Sequence, residues 1–150
     1  MAILLDIAAI LPLVHRMPTT AFEVAEMQAA YAVKAIRAGL PARAFVGVAD
    51  ALNLTVDELA GILGISPRTI RDQRKKLARL SSENTEKLVR IVRVQQQARK
   101  VFSTDEAASG WLTSPAPALD GAKPIDLLDT DLGAREVEAI LSGIAYGNIM

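Results

Sequence analysis

The sequence predicts an all-α protein: a helix-turn-helix bundle in the N-terminal part, followed by a small helical C-terminal module. Three observations carry that expectation. Of 150 residues, 51% are apolar but only 4% aromatic, and 25 are alanine, a composition that favours helices. Apolar residues recur at three- and four-residue spacing in successive segments, and no alternating pattern longer than a few residues intervenes. Capping residues precede those segments, and glycine or proline follows several of them.

Met1 to Val14 is apolar, but Asp6 and Pro12 interrupt it and no basic segment precedes it. It is too short to span a membrane and makes a poor signal peptide. It reads as an arm packed on the core or on a second copy, so residues 1–40 are expected to form a helical arm and dimerisation segment. A cytoplasmic protein without a membrane partner is expected. From Phe22 to Ala38, the residues Val24, Met27, Ala30 with Tyr31, and Ala35 read as one amphipathic helix. Gly39 ends it and Pro41 opens the next, in which Phe45, Val48, Ala49 and Leu52 share a stripe.

Thr55 to Glu58 has the form of a capping box, in which the Thr hydroxyl and the Glu carboxylate satisfy each other's backbone amides. Val56, Leu59, Ala60 and Leu63 then line one face, and Gly64 suits a left-handed residue after the helix. Ser66-Pro67 supplies a cap and a first-turn proline for another helix. A longer helix is predicted from a Ser82 cap to Phe102, with Leu88, Ile91, Val92, Ala98 and Phe102 inward. Glu83 with Lys87 and Glu86 with Arg90 form i, i+4 pairs along it.

Ser103 to Glu106 offers a second capping box, opening a helix that contains Trp111. Residues 114–124 read as a loop, and Pro124 to Leu128 as one turn that lays Leu127 and Leu128 onto a small core. Thr130 or Asp131 starts the last helix, which ends near Tyr146-Gly147. Gly133, Val137, Ile140, Leu141 and Ile144 form its apolar stripe. Asp131, Arg135, Glu138, Ser142 and Tyr146 are expected on the opposite side.

Charge divides the chain. Lys and Arg equal Asp and Glu overall, yet residues 51–103 carry eleven basic against five acidic side chains, and residues 104–150 carry two against eight. A basic middle and an acidic end suit two partners of opposite charge. Cysteine is absent, which excludes disulfides, thiolate metal sites and cysteine nucleophiles, and the lone His15 leaves no imidazole cluster. Asp126, Asp129 and Asp131 stand at a helix start, where acids favour the dipole, with no nucleophile or phosphate loop beside them. No catalytic site, metal or cofactor is expected.

Thr55 to Arg79 has the ingredients of a DNA-binding helix-turn-helix: a short amphipathic helix, a turn at Gly64-Ile65-Ser66, and a second helix able to enter a major groove. On that second helix Ile70 and Leu77 share the inner face. Arg68, Asp72, Lys75 and Arg79 lie opposite, with Arg71 to one side. Arg68 and Arg71 are the expected base readers, since a guanidinium binds guanine bidentately. Ser66, Thr69, Lys75 and Lys76 suit phosphates. Asp72 would either orient Arg68 or accept from a cytosine amino group. A plain solvated face is the competing reading of the charged run. Operator DNA is the expected partner, read by a dimer or larger assembly over paired half-sites.

The last 45 residues sharpen the picture. Trp111-Leu112, the loop Pro117 to Pro124, then Pro124-Ile-Asp-Leu127-Leu128-Asp-Thr130, Gly133-Ala-Arg135-Glu-Val137, Leu141 and Ile144-Ala-Tyr-Gly147 resemble the toxin-binding domain of the Xre/MbcA/ParS-type antitoxins. An Xre-like helix-turn-helix precedes that domain in the family, and the resemblance covers residues 40–147. It implies a helix-turn-helix domain at 41–102 and a toxin-binding domain at 103–150. It also implies an antitoxin that neutralises a RES-type toxin attacking NAD, inserts part of its C-terminal region at the toxin's pocket, and represses the shared operon. Pro124, Leu128, Thr130, Gly133, Val137 and Gly147 match the motif. Arg135, Glu138, Ser142, Tyr146, Gly147, Ile149 and Met150 are the expected toxin-binding residues, in a hetero-oligomer with the toxin. A stand-alone repressor with a C-terminal oligomerisation or effector domain is the alternative.

Overall fold

The structure is a computed structural model, and it describes residues 17–147. Eight α-helices lie among the described residues: α1 (Ala21–Glu26), α2 (Ala29–Ala38), α3 (Ala44–Ala51), α4 (Val56–Ile62), α5 (Pro67–Lys75), α6 (Ser82–Phe102), α7 (Asp105–Leu112) and α8 (Asp131–Ala145). Two 3-10 turns, Pro117–Leu119 and Pro124–Leu127, fill the segment before α8. The all-α expectation holds. Residues 1–16 of the expected arm, and Ile149 and Met150, lie outside the described residues.

Helix α6 organises the molecule. Its 21 residues extend about 30 Å, and α1, α2, α3, α7 and α8 all pack on it. A helix touched from so many sides buries residues around much of its circumference, and the polar Arg90 and Gln95 are buried along with the apolar set. That set is Leu88, Ile91, Val92, Val94 and Ala98. Buried Thr85 is satisfied at the same time: its Oγ1 accepts the Leu40 amide proton at 3.0 Å. That bond anchors the entrance to α3 on the first turn of α6.

The helix-turn-helix closes on itself through a short antiparallel contact between Pro41 and Arg79. Ala42 N–H donates to the Ala78 carbonyl at 3.0 Å, and Leu80 N–H donates to the Leu40 carbonyl at 2.8 Å. The chain leaving α5 is thereby tied to the chain entering α3. Three helices of this region end alike, with the residue after the C-cap turned left-handed: Asn53 after α3, Gly64 after α4 and Leu77 after α5. Each supports the paired amide bonds of a Schellman motif, as in Ala78 N–H to the Gln73 carbonyl at 2.8 Å and Leu77 N–H to the Arg74 carbonyl at 3.1 Å.

Several expectations change. The predicted single helix from Phe22 to Ala38 is two helices, because Met27 and Gln28 are extended (ψ 154° and 144°). A Thr20 capping box starts α1, and the break lets α1 and α2 approach α6 separately. Tyr31, placed on the apolar stripe, is exposed instead. The long helix is capped by Ser81 rather than Ser82. In the next cap Thr104 accepts the Ala107 amide, while Ser103 is the left-handed residue that ends α6. Leu77, expected beside Ile70 on the core face, is 90% exposed. The reason is the Schellman turn: α5 stops at Lys75, so the periodicity that pointed Leu77 inward has already ended.

In the C-terminal part, Leu112, Leu119, Ile125, Leu128, Val137 and Leu141 form the packed centre. Trp111 stacks at its edge against Phe102, with ring centroids 5.6 Å apart. Thr130 caps α8 through a 3.0 Å bond from the Gly133 amide. Gly133 sits where α8 crosses the Pro124–Leu127 turn, and a Cβ there would lie 2.0 Å from the Leu127 carbonyl oxygen. Only glycine fits that approach.

Candidate functional site

Helix α5 is held by very little of itself. Ile70 is its one fully buried residue, and Pro67 at the first turn fixes its start. Ser66 occupies the N-cap position but its side chain makes no capping bond. Arg68 projects with 84% of its side chain exposed and lies 3.6 Å from Asp72, the i, i+4 partner. Of the two roles considered for Asp72, orienting Arg68 is the one this geometry supports. Thr69, Lys75 and Lys76 are exposed, Thr69 in the first turn of α5 and the two lysines at its C-terminal end.

The other two expected DNA-binding arginines are engaged away from α5. The Arg71 guanidinium reaches across to α4 and donates from Nη1 to both carboxylate oxygens of Asp57, at 3.1 and 3.2 Å. Asp57 stands in the first turn of α4, beside the capping box of Thr55 and Glu58. Hydrogen bonds from the Thr55 backbone and hydroxyl hold the Glu58 carboxyl below its ordinary value. Arg79 is not on α5 at all. It follows the helix end, and its Nη1 donates to the Gly39 carbonyl at 2.6 Å, so it braces the α2–α3 junction instead of extending the outer face.

Beside α5 lies an open cleft of about 470 Å³ lined by Arg43, Arg71, Arg74 and Lys75. Neither Arg43 nor Arg74 is among the residues that the sequence pattern singles out. Arg74 was visible as one more member of a basic run. Arg43 stands at the N-cap position of α3, far from that run in sequence, and only the strand-like closure at residues 40–42 and 78–80 brings it alongside.

The C-terminal face is arranged differently. Glu138 and Ser142, expected to point outward on α8, face α6. Arg93 Nε donates to Glu138 Oε1 at 2.8 Å, and Gln97 Nε2 donates to Ser142 Oγ and to the Glu138 carbonyl, both at 3.1 Å. The cause lies in α6, whose Arg93 and Gln97 present polar groups to that flank of α8. Arg135 is exposed and pairs with Asp131 at 2.8 Å on its own helix. Tyr146 is 81% exposed at the end of α8, and Gly147 takes φ 70° there.

Between the two parts stands Arg90, only 7% exposed. Its Nη1 donates to the carbonyls of Leu128 (3.3 Å) and Asp129 (3.0 Å), and its Nη2 meets Glu86 at 2.5 Å. The predicted Glu86 pair is therefore part of a clamp that fixes the turn before α8 onto α6. Leu128 and Asp129 immediately precede Thr130, the residue that caps α8.

A helix-turn-helix is thus followed by a helical module clamped to its last helix, and comparison with known proteins matches both parts. The antitoxin Xre-like helix-turn-helix domain matches residues 32–93, and the antitoxin Xre/MbcA/ParS C-terminal toxin-binding domain matches residues 97–147. Antitoxin Xre of Yersinia enterocolitica is 30% identical over 107 residues, covering 68% of this chain and 72% of the relative. The Prs ADP-ribosylating antitoxin of Sphingobium sp. is 28% identical over 121 residues, covering 75% and 76%. Antitoxin Xre of Pseudomonas putida is 29% identical over 80 residues, covering 53% and 50%. The chain belongs to the Xre/MbcA/ParS-type antitoxins and carries their toxin-binding domain. No helix among the described residues is long and apolar enough to cross a membrane.

Proposed function

We propose that this antitoxin neutralises a RES-class, NAD-consuming toxin by covering its substrate entrance with the end of α8 and the tail beyond, and represses its own operon through α5. The observation that carries the toxin reading is the presentation of Tyr146 to solvent at the last turn of α8, where the matched toxin-binding domain ends. An exposed aromatic beside a glycine stop suits insertion into a partner's pocket. Supporting it, residues 104–150 hold eight acidic against two basic side chains, and a pocket that binds a pyrophosphate favours an acidic visitor. ADP-ribosylation, which appears in the Sphingobium relative's name, is chemistry that draws on NAD. Within the expected toxin-binding set, Arg135 and Tyr146 offer free surface, whereas Glu138 and Ser142 act by holding α8 in place.

The domains at 41–102 and 103–150, with the arm at 1–40, are a division of labour. They share α6, around which the buried residues form one continuous core. Deleting residues 147–150 should weaken neutralisation at least tenfold, about 1.4 kcal/mol, while leaving the melting temperature within a few degrees. The measurement is NAD consumption by the co-encoded toxin against added antitoxin, with NAD competition for binding. A complex that binds NAD with unchanged affinity overturns occlusion. On the DNA side, Arg68→Ala should relax base preference by ~1–3 kcal/mol at one position, read by competition among operator variants.

A further inference from the structure

We infer that the cleft lined by Arg43, Arg71, Arg74 and Lys75 is a seat for a DNA backbone phosphate, and that Asp57 is its resident competitor; the inference rests on the DNA-binding reading of α5. Four cationic side chains from two separate parts of the chain converge there, a density that ordinary surface solvation does not call for. Arg71, Arg74 and Lys75 come from α5 at i, i+3 and i+4 spacing, and Arg43 comes from the start of α3. Among the described residues, the ion pairs engage only Arg71 of these four. The others face the opening without an acidic partner.

The Asp57 carboxylate takes up one guanidinium nitrogen of Arg71, Nη1, with both its oxygens. It is an anion already held where a phosphate oxygen would bind, and it leaves the two-nitrogen fork that suits phosphate unused. The pair is half-exposed, at 51% and 60% of the two side chains, so a phosphate can displace it from the open side. This changes the role of Arg71 from base reader to phosphate ligand, leaving Arg68 as the outward guanidinium at the start of α5. It also gives the module an adjustable affinity: every phosphate that enters must first outbid a carboxylate placed by the α4 cap.

The test uses the full chain and its operator duplex, titrated by fluorescence anisotropy across a salt series, with a scrambled duplex beside it. Arg43→Ala should weaken binding to both duplexes equally and flatten the dependence of log K on log salt by about 0.9, the slope of one phosphate. Arg71→Ala should do the same, with no change in base preference. Asp57→Asn should tighten both duplexes about two- to fivefold at low salt, the strength of one exposed pair released. Circular dichroism on each variant confirms that α4 and α5 persist. If wild-type protein binds the operator but Arg43→Ala and Asp57→Asn leave affinity and slope unchanged, the cleft is no phosphate seat while the reading of α5 stands. If wild-type protein binds neither duplex, both fall together. If Arg43→Ala spares DNA and instead loosens the complex with the toxin, the cleft belongs to the protein partner and the inference is overturned.

Discussion

Helices α5 and α8 are both amphipathic, yet their polar faces are used in opposite ways. Helix α5 buries Ile70 alone and leaves Arg68, Thr69, Arg74 and Lys75 to solvent. Helix α8 buries Gly133, Ala134, Val137 and Leu141 and then commits polar residues as well, with Glu138 bonded to Arg93 and Ser142 to Gln97. A helix kept on by one apolar residue and a turn has its side chains available for a partner. A helix fastened along its flank must do its binding at an end. Each helix carries a polar face in the sequence; what differs in its use is whether a neighbouring helix presents complementary polar groups.

The largest expected effect breaks that comparison at a glycine. Gly133→Ala drives a Cβ to 2.0 Å from the Leu127 carbonyl oxygen, against a turn that Arg90 holds from the other side. A loss of ~2–4 kcal/mol is expected, seen as a fall in melting temperature of about 5–15 °C. The same substitution in the helix-turn-helix should run the other way. Gly61 in α4 has nothing within 4 Å of its would-be Cβ, so Gly61→Ala should stabilise by ~0.5–1 kcal/mol from helix propensity. If both variants moved the melting temperature in the same direction, close packing would not distinguish the two regions.

Arg90→Met should cost somewhat less, ~2–3 kcal/mol, because two carbonyls of the α8 approach and the Glu86 carboxylate lose a buried donor. Its value lies in selectivity. The clamp holds only the segment leading into α8, so neutralisation of the toxin should fall more than operator binding, and assays of the two on one preparation separate them. Equal losses would mean that the two regions respond as one body through α6.

Much of the fold was legible because caps and glycine stops are local chemistry. The Thr55 capping box, the Pro67 helix start and the left-handed Gly64 each depend on residues within a turn of one another. What escaped was set at a distance or by an unusual residue. Periodicity runs on through Met27 and Gln28 because both flanking helices need apolar contact with α6. It runs on to Leu77 because leucine gives no sign of ending a helix. The toxin-binding motif is visible as a string of residues, but the polar residues expected outward on α8 divide between the surface (Arg135, Tyr146) and α6 (Glu138, Ser142) through contacts 41 and 45 residues apart. Arg43 joined the basic cleft through backbone pairing that no side-chain pattern announces.

Leu77 itself carries the smallest expected effect. Three helices of the region end in the same left-handed turn, at Asn53, Gly64 and Leu77. Asparagine and glycine adopt that conformation readily, but leucine at φ 51° places its Cβ against the backbone. The side chain recovers nothing by packing, being 90% exposed. Leu77→Gly should therefore stabilise by ~0.5–1 kcal/mol, the relief of strain exceeding the added freedom of the unfolded chain. Leu77→Ala keeps the strain and should leave the melting temperature almost unmoved. Denaturant melts of the two variants decide the matter: a gain from glycine alone identifies backbone strain. A gain of equal size from alanine would trace the cost to the leucine side chain.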